Sequence, residues 1–141
     1  MREVLVLGAV RTPIGNINGA LAGVEAWRLG ACAAGESLKR SGIAGQEVEE
    51  AVFGNVLQAG QGMNPARQAA MACALPVESP AYTVNMVCGS GMKAIELGRQ
   101  SILLERARVV LAGGFESMSQ APYLLAAMRG EQVRGLAHAL E

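Results

Sequence analysis

The chain has 141 residues, of which 51% are apolar, and its 12 basic and 12 acidic side chains leave a formal net charge of zero. That length and apolar content suffice for one domain with a buried core and exclude a disordered segment. The charge balance excludes the electrostatic footprint of a nucleic-acid-binding surface.

In chain order, Glu3–Val10 reads as a first strand, an apolar run that ends where charge returns at Arg11. A helix is predicted over Val24–Arg40, with Ala26, Leu29, Ala33 and Ser37 on one face and Gly42 as its C-terminal cap. A second strand follows at Glu50–Leu57, carrying Val52, Phe53 and Val56. A second helix spans Pro65–Leu75. Asn64 stands at its N-cap and Pro65 at its first position, both favoured there, and Pro76 ends it. A third strand over Ala81–Val87 leads into a third helix over Cys88–Glu105, and Arg108–Ala112 is a fourth strand. The βαβαβαβ order predicts an α/β fold with a mostly parallel sheet and helices on both faces. Beyond Pro122 the pattern weakens to a short helix and an uncertain tail, so the division expected is a core over 1–121 and a separate tail over 122–141.

Cys32, Cys73 and Cys88 are an odd number without Cys-x-x-Cys spacing, which argues against a disulfide framework and fits a reducing compartment, the cytoplasm. With His138 the single histidine, no metal site is expected. Apolar runs of about seven residues are too short to span a bilayer, so no membrane role is expected. Neither the phosphate-loop pattern nor the GxGxxG dinucleotide fingerprint occurs.

In a parallel sheet, sites lie beyond the carboxyl ends of the strands. Those ends read "GAVRTPIG", "GNVLQAGQG", "NMVCGSG" and "GGFESMSQAP", and only one presents a nucleophile. Cys88 stands where a strand hands over to a helix, whose N-terminal amides and dipole favour a thiolate. Gly89 and Gly91 remove bulk, so that a substrate and a neighbouring backbone can approach. On spacing alone, a nucleophile and a small core hydrophobe remain equally open readings of Cys88. Cys32 and Cys73, mid-helix among alanines, read as core. Gln61, Asn64, Arg67 and Gln68 form a polar cluster near a strand end, and Glu116 reads as a hydrogen-bonding partner for a nearby loop rather than a catalytic group.

Four separated blocks carry a resemblance: "VRTPIGNINGAL" (10–21), "GNVLQAGQGMNPARQAAMACALP" (54–76), "VNMVCGSGMKAIELGRQSI" (84–102) and "VVLAGGFESMSQAPYLL" (109–125). In this order they resemble the thiolases, which make or cleave 3-ketoacyl-coenzyme A. The resemblance implies that Cys88 is the nucleophile that becomes acylated and that its own backbone N–H forms half of an oxyanion hole. It also implies that Gly89 and Met118 face the substrate, and that "MNPARQ" serves mainly to frame the site and the subunit interface. Acetyl-CoA or an acyl-CoA would be the substrate, with no cofactor, in fatty acid metabolism. Residues 1–121 would be an N-terminal core half lacking its last strand, and 122–141 the start of a loop region. The family's Gly-His-Pro histidine and Cys-x-Gly cysteine do not occur in this sequence. His138 lacks that context and is not expected to be a base. The chain alone is therefore expected to be inactive, or to need a complementary C-terminal half, within a homo-oligomer. Other readings are a non-catalytic remnant or interaction module, and a condensing enzyme of the ketoacyl synthase type, against which "MNPARQ" and "GGFESMS" weigh.

Overall fold

Five consecutive buried residues, Glu50–Gly54, form strand β1 and the middle of the sheet. Ala81–Val84 (β2) and Val110–Gly114 (β3) flank it, both parallel to it, in the order β2-β1-β3. Ala51 pairs with Ala81 on one side and Leu111 on the other, and Gly54 with Val84 and Gly114. This is a computed structural model, and it describes residues 3–123. The tail containing His138 lies outside the described residues.

A parallel strand at a sheet's centre is buried on both faces, so helices must cover both. Helices α1 (Ala26–Ser41) and α2 (Pro65–Ala72) lie on one face and α3 (Ser90–Leu103) on the other. Under α1 and α2 the core gathers Val48, Ala51, Phe53, Leu75, Leu111 and Phe115 against helix alanines. Phe53 and Phe115 meet at 5.5 Å between ring centroids, a distance at which tilted rings attract. On the opposite face α3 buries only small residues, Ser90, Ala94, Gly98 and Ser101, so it sits close to β1 and β3. Its larger apolar side chains, Met92 and Ile95, are exposed.

The α/β class with helices on both faces is present, and the local caps are as read. Asn64 Oδ1 accepts from the Arg67 amide with Pro65 at the first position of α2, and Gly42 closes α1 in the left-handed conformation. Several expectations need correction. Residues 3–10 are not a strand. Gly8, at φ +59°, breaks the extended run, and the segment makes no ladder with any described strand. It lies beside β3 across two voids, of about 320 and about 340 Å3, lined by both segments. Leu5, Val6 and Leu7 stay 68%, 79% and 55% exposed. An apolar run has strand character only when a partner supplies its hydrogen bonds.

The other corrections concern ends and faces. Helix α1 begins at Ala26, and its buried line is Ala26, Gly30 and Ala34. Leu29, Ala33 and Ser37 are only half-buried. Gly30 decides this, because a Cβ there would stand 2.1 Å from Phe115 Cδ1, so only glycine lets the helix rest on that ring. Helix α2 stops three residues early, before Ala74 turns left-handed at φ +57°. Strand β1 stops at Gly54 because the amides of Val56 and Leu57 turn to the Glu116 carboxylate. Cys32 is exposed on α1 and so is no core residue. Cys73 ends α2 half-buried, its Sγ 3.5 Å from the Ala31 carbonyl, and burial pushes its thiol pKa up.

Candidate active site

Between β2 and α3 the chain makes one tight turn, residues 85–89, with Cys88 exposed on it. Helix α3 starts at Ser90, so Cys88 lies two residues ahead of the helix rather than at its first position. The turn is strained at Val87, a β-branched residue held at φ +51°. That conformation persists only where surrounding bonds over-determine it, and here they do. Asn85 Oδ1 accepts from the Val87 amide at 2.9 Å. Ser90 Oγ accepts from the Met86 amide at 2.8 Å and donates to the Val87 carbonyl at 2.6 Å. The Gly89 amide donates to Met86 O and the Ser90 amide to Val87 O. The Cys88 amide takes part in none of these bonds.

Small residues press this turn onto the end of the sheet. A Cβ on Gly54 would lie 2.4 Å from the Ser90 carbonyl carbon, and one on Gly114 3.1 Å from the Gly91 Cα. The C-terminal ends of β1 and β3 thus touch the first turn of α3 backbone to backbone. Gly91 serves the close approach expected of it. Gly89 packs on its own turn, where a Cβ would come 2.7 Å from Met86 Cε.

Cys88 opens on a cavity of about 600 Å3 whose other walls are mostly apolar, among them Val56, Leu57, Val87, Phe115 and Met118. Met118, which begins a short 3-10 turn over Met118–Gln120, is exposed at that cavity. The structure therefore brings Cys88 and Met118 to one space, while Gly89 lies behind Cys88 in the turn. Among the described residues, the one ionisable group on the cavity wall besides Cys88 is Glu116. Its carboxylate accepts from Asn55 Nδ2 at 2.8 Å, the Val56 amide at 2.9 Å and the Leu57 amide at 3.1 Å. That is the loop bond its sequence context foretells. Asn55, 1% exposed, also donates to the Phe115 carbonyl at 3.0 Å, so the loops after β1 and β3 are tied twice.

The polar cluster of the second block is largely occupied within the chain, with Gln61 Oε1 buried and without a partner among the described residues. Gln61 Nε2 donates to Asn55 Oδ1 and to the Leu57 carbonyl, and Gln68 Nε2 donates to the Gln61 carbonyl. Asn64 caps α2 and donates to Ala81 O, and Arg67 donates to the carbonyls of Ser79 and Val77. Gln61 and Gln68 thus brace the loop after β1, while Asn64 and Arg67 tie α2 to the segment that enters β2. Sequence reasoning missed Asn55, Ser90 and the strain at Val87. The serine inside "CGSG" was the available signal, since a hydroxyl just inside a helix start often holds the preceding turn.

Among the described residues, no three His, Cys, Asp or Glu side chains stand together to hold a metal ion, and no helix is long and apolar enough to cross a membrane.

An exposed thiol on a braced turn, facing an apolar cavity with an uncommitted amide beside it, suits attack on a carbonyl. Comparison with known proteins gives the family. Residues 4–140 match the family described as "Thiolase, N-terminal domain". The acetyl-CoA acetyltransferase of Pseudomonas aeruginosa is 47% identical over 129 residues, covering 92% of this chain and 33% of the relative. Mitochondrial acetyl-CoA acetyltransferase of Danio rerio is 48% identical over 126 residues, covering 89% and 30%. Among solved structures, Acat5 thiolase from Ascaris suum in complex with coenzyme A gives a TM-score of 0.82 at 42% identity, covering 86% of this chain and 32% of that one. The chain spans about a third of the length of these relatives. With nearly its whole length matched to that domain, this chain belongs to the thiolase family.

Proposed function

We propose that this chain carries the nucleophile of an acyl-CoA C-acyltransferase, with Cys88 as the residue that becomes acylated. The Cys88 thiolate attacks the carbonyl carbon of an acyl-CoA thioester. A new C–S bond forms, and the electron pair of the C=O moves to oxygen. Collapse of that oxyanion breaks the bond to the coenzyme A sulfur, which leaves as a thiolate and takes up a proton. The observation that carries this reading is Cys88, exposed on a turn whose strain is held by Asn85 and Ser90, at the mouth of an apolar cavity. The amide of Cys88, unused within the turn, supplies one donor for the oxyanion. Met118, on the wall of the same cavity, flanks the acyl group. The coenzyme A in the Ascaris suum complex supports an acyl-CoA substrate.

The condensing or cleaving half-reaction requires an acid–base pair to move the α-proton and to activate the thiol, each commonly worth ~10²–10⁴ in rate. Glu116, the cavity's other ionisable group, is committed to three N–H donors. The sequence contains neither a Gly-His-Pro nor a Cys-x-Gly segment. The full activity therefore draws on proton-transfer residues other than those of this sequence to complete the site. Three unpaired cysteines suit a reducing compartment, the cytoplasm.

The test is acyl transfer to the isolated chain from acetyl-CoA. The expected result is a slow, single-turnover gain of one acetyl group on the Cys88 peptide with release of coenzyme A, absent in Cys88→Ala. Labelling of the exposed Cys32 at an equal rate defeats the assignment. Sustained turnover by the isolated chain defeats the requirement for other residues.

A further inference from the structure

Glu116 holds the wall of the cavity in place rather than acting on the substrate. We propose that it is a positioning residue that sets how large an acyl group Cys88 can accept, an inference that rests on Cys88 being the acylated residue. All three donors to its carboxylate are uncharged, and two are the successive amides of Val56 and Leu57. Those bonds pull the chain out of β1 directly after Asn55, and the side chains of Val56 and Leu57 form part of the same cavity as Cys88. Asn55 Nδ2, shared between Glu116 and the Phe115 carbonyl, locks that wall to the loop that carries Met118. A carboxylate suits the place because it only accepts. Oε1 takes Asn55 Nδ2 and the Leu57 amide, and Oε2 takes the Val56 amide. In Glu116→Gln, either orientation of the carboxamide sets its NH2 group against an N–H donor. The wall of residues 55–57 is then released although the side chain has kept its shape.

The experiment compares alkylation of Cys88 by iodoacetamide and by N-hexyl iodoacetamide, read by peptide mass spectrometry, with the exposed Cys32 of the same molecule as reference. In Glu116→Gln the ratio of long-reagent to short-reagent rate at Cys88 rises about fivefold or more, within the range by which an apolar pocket discriminates chain length. At Cys32 it does not move. Glu116→Asp keeps an acceptor-only group with a shorter reach and gives an intermediate ratio. A Cys88 ratio equal in wild type and a folded Glu116→Gln variant overturns the proposal. If the Gln variant does not fold by circular dichroism, Glu116→Asp decides: a ratio raised at Cys88 alone supports the proposal, and an unchanged one overturns it. Failure of wild-type Cys88 to take an acetyl group from acetyl-CoA defeats the nucleophile assignment instead, whatever the ratios show.

Discussion

Strand β3 borders two very different neighbourhoods. At its carboxyl end, beyond Gly114, the chain satisfies itself. Glycine backbones meet at contact distance, Glu116 and Asn55 join the two loops, and the turn bearing Cys88 uses the amides of its neighbours. Along its side, residues 3–10 lie across voids with Leu5, Val6 and Leu7 exposed. The face of α3 that carries Met92 and Ile95 is also exposed. The difference teaches where the chemistry of this chain is self-contained. The setting of Cys88 is built from contacts within the described residues. Among the described residues, no strand pairs with the lateral edge of β3, whose backbone groups are a template for one.

Three variants sharpen this contrast. The largest effect is expected at the closed end. Gly54→Ala drives a methyl group against the backbone of Ser90 and Gly91, which cannot give way as a side chain can. It should cost about 3 kcal/mol in urea unfolding, the upper end for overpacking, and slow alkylation of Cys88. An unchanged midpoint and rate would show that the sheet end and α3 are not in rigid contact. At the open side the expected effect is on association rather than folding. Leu5→Lys with Leu7→Lys should leave the unfolding free energy within about 0.5 kcal/mol of wild type and shift sedimentation toward smaller species. A large loss of stability instead would mean that residues 3–10 are part of the core.

The smallest effect concerns the filled side of β1, where the Tyr82 hydroxyl of β2 donates to the buried Glu50 carboxylate at 2.7 Å. Burial first, and then that bond, push the Tyr82 pKa up to about 12. Unfolded tyrosine ionises near about 10 and loses its proton first. This stabilisation is therefore whole below about pH 10 and declines as the pH rises toward about 12. Urea unfolding at about pH 9 and about pH 11 should show a steeper loss for wild type than for Tyr82→Phe. Parallel losses would remove Tyr82 from the account.

What could be read along the chain is what depends on near neighbours. Asn64 and Pro65 announce the start of α2 and Gly42 the end of α1, because caps are made by residues a few positions apart, whereas "CGSG" leaves Cys88 open between an exposed thiol and a core residue. The family blocks add the expectation that Cys88, Gly89 and Met118 face one substrate; of these, Cys88 and Met118 line the same cavity. Residues 3–10 misled because apolar alternation records a capacity for pairing and not the presence of a partner. The buried face of α1 misled because Phe115, far off in sequence, claims the space above Gly30.

Glu116 shows the boundary most plainly. Its type and its loop context were visible, yet its partners at Asn55, Val56 and Leu57 lie about sixty positions earlier. Local order thus placed the thiol, the caps and the helices, since those rest on short-range geometry. The cavity walls, the shift of the helix face and the unpaired side of the sheet arise only when distant segments compete for the same volume and the same hydrogen-bonding groups.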